Sequence, residues 1–96
     1  MSLKVAVRTR AKRDLRAILL YIARQNRDFV ISSRLEEKFA KRFAQLAEAP
    51  GIGTPYRGSQ VKKVVEGPYK IFYRVSETKI VILRIWDGRR GHDPLL

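Results

Sequence analysis

Residues 67–90, GPYKIFYRVSETKIVILRIWDGRR, constrain the fold of this chain more than any other segment. Two runs rich in Tyr, Ile, Val and Phe flank the polar stretch Ser76-Glu77-Thr78-Lys79, the pattern of a β-hairpin with a short turn. Lys70, Arg74 and Arg84 interrupt the apolar runs, and Arg89-Arg90 follow at once. A small domain that spends strand positions on cations presents a positive sheet face, suited to a polyanion or an acidic partner.

What precedes the hairpin supplies a second layer. Leu3, Val5 and Val7 alternate with polar or small residues over 3–7, the period of a half-buried strand. Thr9 can cap a helix over 10–24, whose apolar stripe runs through Ala11, Leu15, Ile18, Leu19, Ile22 and Ala23. The polar residues 25–28 break the pattern. A second stripe follows through Ile31, Leu35, Phe39, Phe43, Leu46 and Ala47, and Ala49-Pro50-Gly51 stops it. Two amphipathic helices with so short a connection form an antiparallel αα-hairpin. Arg34, Lys38, Lys41 and Arg42 fall on outer faces, where solvation accounts for them.

Residues 52–60 read as loop. Their glycines resemble a phosphate-binding loop only superficially, since no strand precedes them and no Lys-Ser/Thr or helix follows. A strand over 61–65 and a tight turn at Gly67-Pro68 lead into the hairpin, and residues 88–96 are irregular. The expected fold is α+β: strand, helical hairpin, then a three-stranded antiparallel meander (β-α-α-β-β-β) in two layers, as one domain over 1–96.

Charge narrows the partner. Lys and Arg number 21 against 9 Asp and Glu, a net charge of +12. Small domains are usually put at a magnitude of about 2–8, and the excess is spread along the chain from Lys4 to Arg90. There are no cysteines, so disulfides and thiolate metal sites are excluded. No cofactor or metal is called for, no signal peptide or membrane helix fits, and a cytoplasmic protein is the simplest expectation.

The helical hairpin, the helix exit LAEAPGIG at 46–53, the strand YKIFYRV at 69–75 and the run ILRIWDGRR at 82–90 together resemble the RelE/ParE superfamily of toxins from type II toxin–antitoxin pairs. The resemblance covers nearly the whole chain. It implies a cognate antitoxin with an acidic, extended segment, and one of two activities. ParE-like members poison DNA gyrase, and RelE-like members cut messenger RNA on the ribosome.

Each activity makes its own demand. Metal-free RNA cleavage needs a base, an acid and cations that stabilise the charged phosphorane. By the resemblance, Lys63, Lys70 and Arg90 stand where nucleases of the superfamily carry cations. Many relatives end the last strand with His, and this chain has Asp87 there. His92, the only histidine, is the substitute base or an exposed tail residue. Tyr69 and Tyr73 alternate with Lys70 and Phe72 and so face the helices as core tyrosines. Without a convincing acid and base, the ParE-like activity is the favoured expectation, with Lys70, Arg74, Arg89 and Arg90 meeting target or antitoxin.

Lys70 and Arg74 share a side of their strand whatever the register. Arg84 does not have that security. If Val75 pairs with Ile80, then Lys70, Phe72 and Arg74 share a face with Val81, Leu83 and Ile85, and Arg84 joins Ile71 and Trp86 on the other. A shifted turn reverses that assignment.

Overall fold

The computed structural model describes residues 2–96 apart from Asp28 and Ser59. Three expectations fall outside the described residues: Met1 in the opening segment, Asp28 in the break between helices, and Ser59 in the loop.

The elements run β1 (Lys4–Val7), α1 (Thr9–Asn26), α2 (Phe29–Glu48), a 3-10 turn (Pro50–Ile52), β2 (Thr54–Pro55), β3 (Val61–Glu66), β4 (Tyr69–Val75) and β5 (Lys79–Asp87). The expected α+β order is borne out. The sheet is wider than the expected meander, with strand order β1-β5-β4-β3-β2. The first strand lies parallel to β5, pairing Lys4 to Lys79 and Val7 to Ile82. Parallel neighbours need a long crossover, and the helical hairpin is followed by the meander that returns to β1. The two-residue β2 arises inside the expected loop, where Thr54 pairs with Lys63.

Helix ends follow local chemistry. Thr9 is the first residue of α1 and not its cap; Arg8 takes the N-cap position without a side-chain cap hydrogen bond. Arg27 closes α1 in the left-handed conformation at φ 49°. Pro50 begins the 3-10 turn directly after α2. At the β3–β4 turn Gly67 takes φ 58°, which a side chain would strain.

Alternation divides the sheet into two apolar faces. Tyr69, Ile71, Tyr73, Ile80, Ile82 and Ile85 face the helices and pack with Ala11, Phe39 and Leu46. Both tyrosines are buried, as their position in β4 predicts. On the opposite face Phe72, Val81, Leu83 and Trp86 form a second cluster, joined by Tyr56 and Val61. Each such buried side chain contributes about 1.5–3 kcal/mol. No helix covers this outer face.

The register corrects the assignment of β5. Val75 does pair with Ile80, and Tyr73 with Ile82, but Phe72 then pairs with Arg84 across a bulge that leaves Leu83 as the extra residue. An inserted residue flips everything beyond it. Ile85 therefore pairs with Ile71 on the helix side, and Trp86 pairs with Lys70 on the outer side. Arg84 is opposite Phe72, not beside Ile71.

Arg84 also reaches the sheet edge. Its Nε and Nη2 donate to Asp14 of α1 at 2.8 and 3.0 Å, and the Ile85 N–H donates to the same carboxylate at 3.1 Å. Since β1 stops opposite Ile82, Asp14 satisfies the strand edge where β1 has ended. This hydrogen bonding raises the Arg84 pKa above its ordinary value, against a smaller opposing effect of burial.

Arg42 is likewise more than a solvated cation. Its Nη2 donates to the Val65 carbonyl at 2.8 Å, and its Nε lies 3.5 Å from Glu66, tying α2 to the edge of β3.

Candidate functional site

Three surfaces carry the candidate residues. The first is the outer sheet face, where strand pairing puts Lys63, Lys70, Arg74 and Arg84 on one side. Lys70 and Arg74 share that side, as their spacing requires. Lys63 and Arg74 make no side-chain hydrogen bond or ion pair with any described residue, and so remain available to an anion.

Lys70 is already engaged. Its Nζ donates to Asp93 Oδ1 at 2.9 Å, while the Tyr56 hydroxyl donates to Oδ2 at 3.2 Å and Arg57 lies 3.8 Å from it. Residues 92–95 thus fold back across the sheet. The Trp86 indole N–H donates to the His92 carbonyl at 2.8 Å, Arg84 Nη1 donates to the Leu95 carbonyl at 2.9 Å, and Pro94 is buried. The irregular tail expected from the sequence is a packed strap.

His92 is exposed, its ring 5.5 Å from that of Trp86 and its Nδ1 3.3 Å from the Asp93 carbonyl. Arg90 lies over the same Trp86 ring, 4.3 Å from its centre. Lys63, Lys70, Arg90 and His92, the candidate nuclease set, thus adjoin the same face, with Lys70 held by Asp93 and both His92 and Arg90 resting on Trp86.

The second surface is a cleft of about 410 Å³ between α1 and the end of β5, lined by Arg13, Tyr21, Tyr69, Asp87, Arg89 and Arg90 among others. Asp87 does not stand free in it. Arg89 binds it through Nε at 2.9 Å and Nη2 at 2.8 Å, and adds its backbone N–H at 2.9 Å. The Arg89 hydrogen bond holds the Asp87 carboxyl below its ordinary value of 3.8. Burial pushes the Tyr69 phenol upward, against the neighbouring Arg89 charge.

The third surface is one the sequence pattern concealed. Leu15, Leu19, Leu20, Ala23 and Phe29 line an apolar groove of about 380 Å³ on the helical hairpin, with Lys12, Arg16 and Glu36 at its margin. Phe29 is 80% exposed and Leu20 45%. Leu20 and Phe29 lie off the stripes that define the core, and such off-stripe apolar residues were the available signal.

The family described as "ParE toxin of type II toxin-antitoxin system, parDE" has a sequence model that matches residues 5–91. The chain belongs to the ParE toxin family. Among solved structures, this ParE-family chain resembles one from the chromosomal ParDE toxin–antitoxin system of P. aeruginosa, with a TM-score of 0.79 and 20% identity over 90% of this chain and 96% of that one. It also resembles a chain of the toxin–antitoxin complex RelBE2 from Mycobacterium tuberculosis, with a TM-score of 0.64 and 26% identity over 91% of this chain and 99% of that one. No curated protein matches it. The RelE/ParE resemblance is borne out by these findings. No described helix of this ParE-family chain is long and apolar enough to cross a membrane. Among the described residues no His, Cys, Asp and Glu cluster could hold a metal ion.

The strap has a measurable acid limit. The Lys70 hydrogen bond holds the Asp93 carboxyl below its ordinary value of 3.8. A depressed carboxyl adds stability that is complete above 3.8 and is lost as pH falls through its lowered value. Trp86 is the single tryptophan and binds the strap directly. Its indole N–H, which donates to the His92 carbonyl, should therefore stay protected from solvent exchange, relative to a free indole, from pH 7 down to about 4 and lose that protection only below that. Loss of protection well above that range would refute control of the strap by Asp93.

Proposed function

We propose that this ParE-family chain is a toxin that acts by binding, with DNA gyrase as its target, and that a cognate antitoxin holds it inactive. The observation that carries this reading is the state of the proton-transfer candidates. The His92 ring rests on Trp86, and Asp87 is bound by Arg89 as an ion pair. Neither arrangement favours a base and an acid poised on opposite sides of a phosphate. The family match to ParE supports the same choice. Lys63 and Arg74 on the outer face, with Arg89 and Arg90 at the end of β5, offer the target a positive surface.

The antitoxin suits the third surface. An exposed apolar groove flanked by Lys12 and Arg16 fits an amphipathic segment that carries acidic residues on its rim. Co-expression with the small protein encoded beside this gene should yield a tight complex whose association slows as salt rises. Recovery of the two as separate, non-interacting proteins would refute the partnership.

Induced expression should stop DNA replication and raise the DNA-damage response while translation continues at first. Rapid loss of messenger RNA, with cuts inside translated codons, would instead establish the second reading, a ribosome-dependent endonuclease using Lys63, Lys70, Arg90 and His92. That reading draws support from the cations gathered on one sheet face and from the likeness to RelBE2. The two separate at His92. A general base contributes about 10²–10⁴-fold to a rate, so His92→Ala should nearly abolish toxicity in a nuclease and change it little in a gyrase poison. Lys70→Glu with Arg74→Glu should weaken either, and Arg74→Glu alone does so without placing a second carboxylate beside Asp93.

A further inference from the structure

We infer that the outer face of the sheet is a docking site for an extended peptide of another chain bearing Asp followed by Pro, and that residues 92–95 are its internal occupant. The inference concerns a different surface from the helical groove and rests on the reading of this chain as a toxin that acts by binding through the outer face.

The face contacts the strap as a receptor contacts a peptide. Its donors address main-chain carbonyls on both sides of one acidic side chain: the Trp86 indole takes the carbonyl of His92 at 2.8 Å, and Arg84 takes that of Leu95 at 2.9 Å. Between them, the two oxygens of Asp93 are bound separately, one by Lys70 and one by Tyr56. Pro94 is buried, and proline fixes an extended approach for the residue before it. Carbonyls have no sequence identity, so the requirements reduce to a carboxylate, a following proline and an extended main chain. Any segment with those features satisfies the same donors.

Several of the receptor groups are set by the fold rather than by the strap. Arg84 is fixed by its two bonds to Asp14, and Trp86 by its pairing with Lys70 across β4 and β5. Tyr56 is packed edge-on to Phe72, their ring centres 4.9 Å apart. The site would therefore keep its shape when the strap lifts. A nucleic acid could reach these donors through its phosphates, but the buried position of Pro94 and a single carboxylate flanked by two neutral carbonyls match a peptide better.

The tethered strap competes at an effective concentration of about millimolar, so the site is best exposed by weakening the strap. The probe is the end-blocked peptide Gly-His-Asp-Pro-Leu-Leu, followed by the Trp86 indole and the backbone amide resonances of residues 91–96. Full-length chain carrying Asp93→Asn should bind it at least about tenfold more tightly than the unmodified chain does, the loss expected when a charged partner is removed from the internal occupant. The peptide with Asn in place of Asp should bind about tenfold more weakly than the Asp form. Folded Asp93→Asn chain whose strap amides are released, yet which binds no peptide at millimolar concentration, overturns the inference. Should the variant not fold, the unmodified chain is titrated to tens of millimolar peptide. Displacement of the strap amides with the indole resonance still in its bound position supports the site, and no displacement refutes it.

Discussion

Asp14→Ala should lower the melting temperature by more than about 10 °C, the largest loss expected from any single polar substitution in this chain. The carboxylate of Asp14 receives two Arg84 bonds and the Ile85 N–H, and its side chain and that of Arg84 are only 16% and 11% exposed. Removing it leaves a largely buried guanidinium and a strand-edge N–H without their acceptor. Breaking such a pair from one side costs about 3–5 kcal/mol, and in a domain of this size each kcal/mol shifts the melting point by about 4–8 °C. The Leu95 carbonyl still accepts from Arg84, so the lower end of that range is the better figure. The control is the double variant Asp14→Leu with Arg84→Met, which removes both charges and should recover part of the loss. Thermal unfolding of the three variants measures this directly. A single variant within about 1 kcal/mol of the parent would show that the pair orients α1 without stabilising it.

A comparable loss is expected from adding one methyl group. The N–H of Gly53 donates to the Tyr73 hydroxyl at 2.9 Å, and the same hydroxyl donates to the Pro50 carbonyl at 2.8 Å. A Cβ at position 53 would lie 2.8 Å from Tyr73 Cε1 and 2.9 Å from Cζ, with the hydroxyl closer still. Tyr73 is fully buried between the sheet and the helices and has nowhere to move. Overpacking of this kind costs about 1–3 kcal/mol, and displacing the hydroxyl strands two backbone groups at about 1–3 kcal/mol more. Gly53→Ala should thus destabilise by about 2–6 kcal/mol. Tyr73→Phe removes the same two hydrogen bonds without the clash. Combining the two substitutions should cost less than their sum, because both lose the same two hydrogen bonds and a ring without its hydroxyl is no longer tethered against the methyl. Additive losses in denaturant unfolding would mean that the two residues do not act on each other.

Position 73 also illustrates what can be read from the chain beforehand. Alternation in YKIFYRV places Tyr69 and Tyr73 under the helices and Lys70 and Arg74 away from them, and the structure agrees on all four. Local periodicity was sufficient there because β4 runs without interruption. In β5 the sequence IVILRIW is almost continuously apolar, so a residue inserted into the alternation leaves no trace. The bulge at Leu83 went unseen for that reason, and the positions of Arg84, Ile85 and Trp86 with it. Other features depend on partners far apart in sequence. Asp14 lies 70 residues from Arg84, and Asp93 lies 23 from Lys70, so nothing near either residue announces the pairing. The segment Gly91-His92-Asp93-Pro94 has the composition of a loose turn, and only the sheet face beneath it makes it an ordered strap. Of the candidate surface, the shared side of Lys70 and Arg74 was legible, whereas Leu20 and Phe29 of the groove lie off the stripes that helical periodicity marks.

The bulge in β5 decides which side the end of this strand presents. Upstream of Leu83, Ile80 and Ile82 are committed to the helices; downstream, Ile85 returns to that side while Trp86 goes to the other. Were the strand straightened with Leu83 kept, Leu83 would pair with Phe72 and every later residue would turn over, driving Trp86 toward the helices and Ile85 beneath the strap. Deleting Leu83 has the opposite result, because the residues that remain then alternate in the pairing they already have. Homologues one residue shorter at this point would therefore present the same two faces on an unbroken ladder, whereas homologues of equal length without the bulge would exchange them.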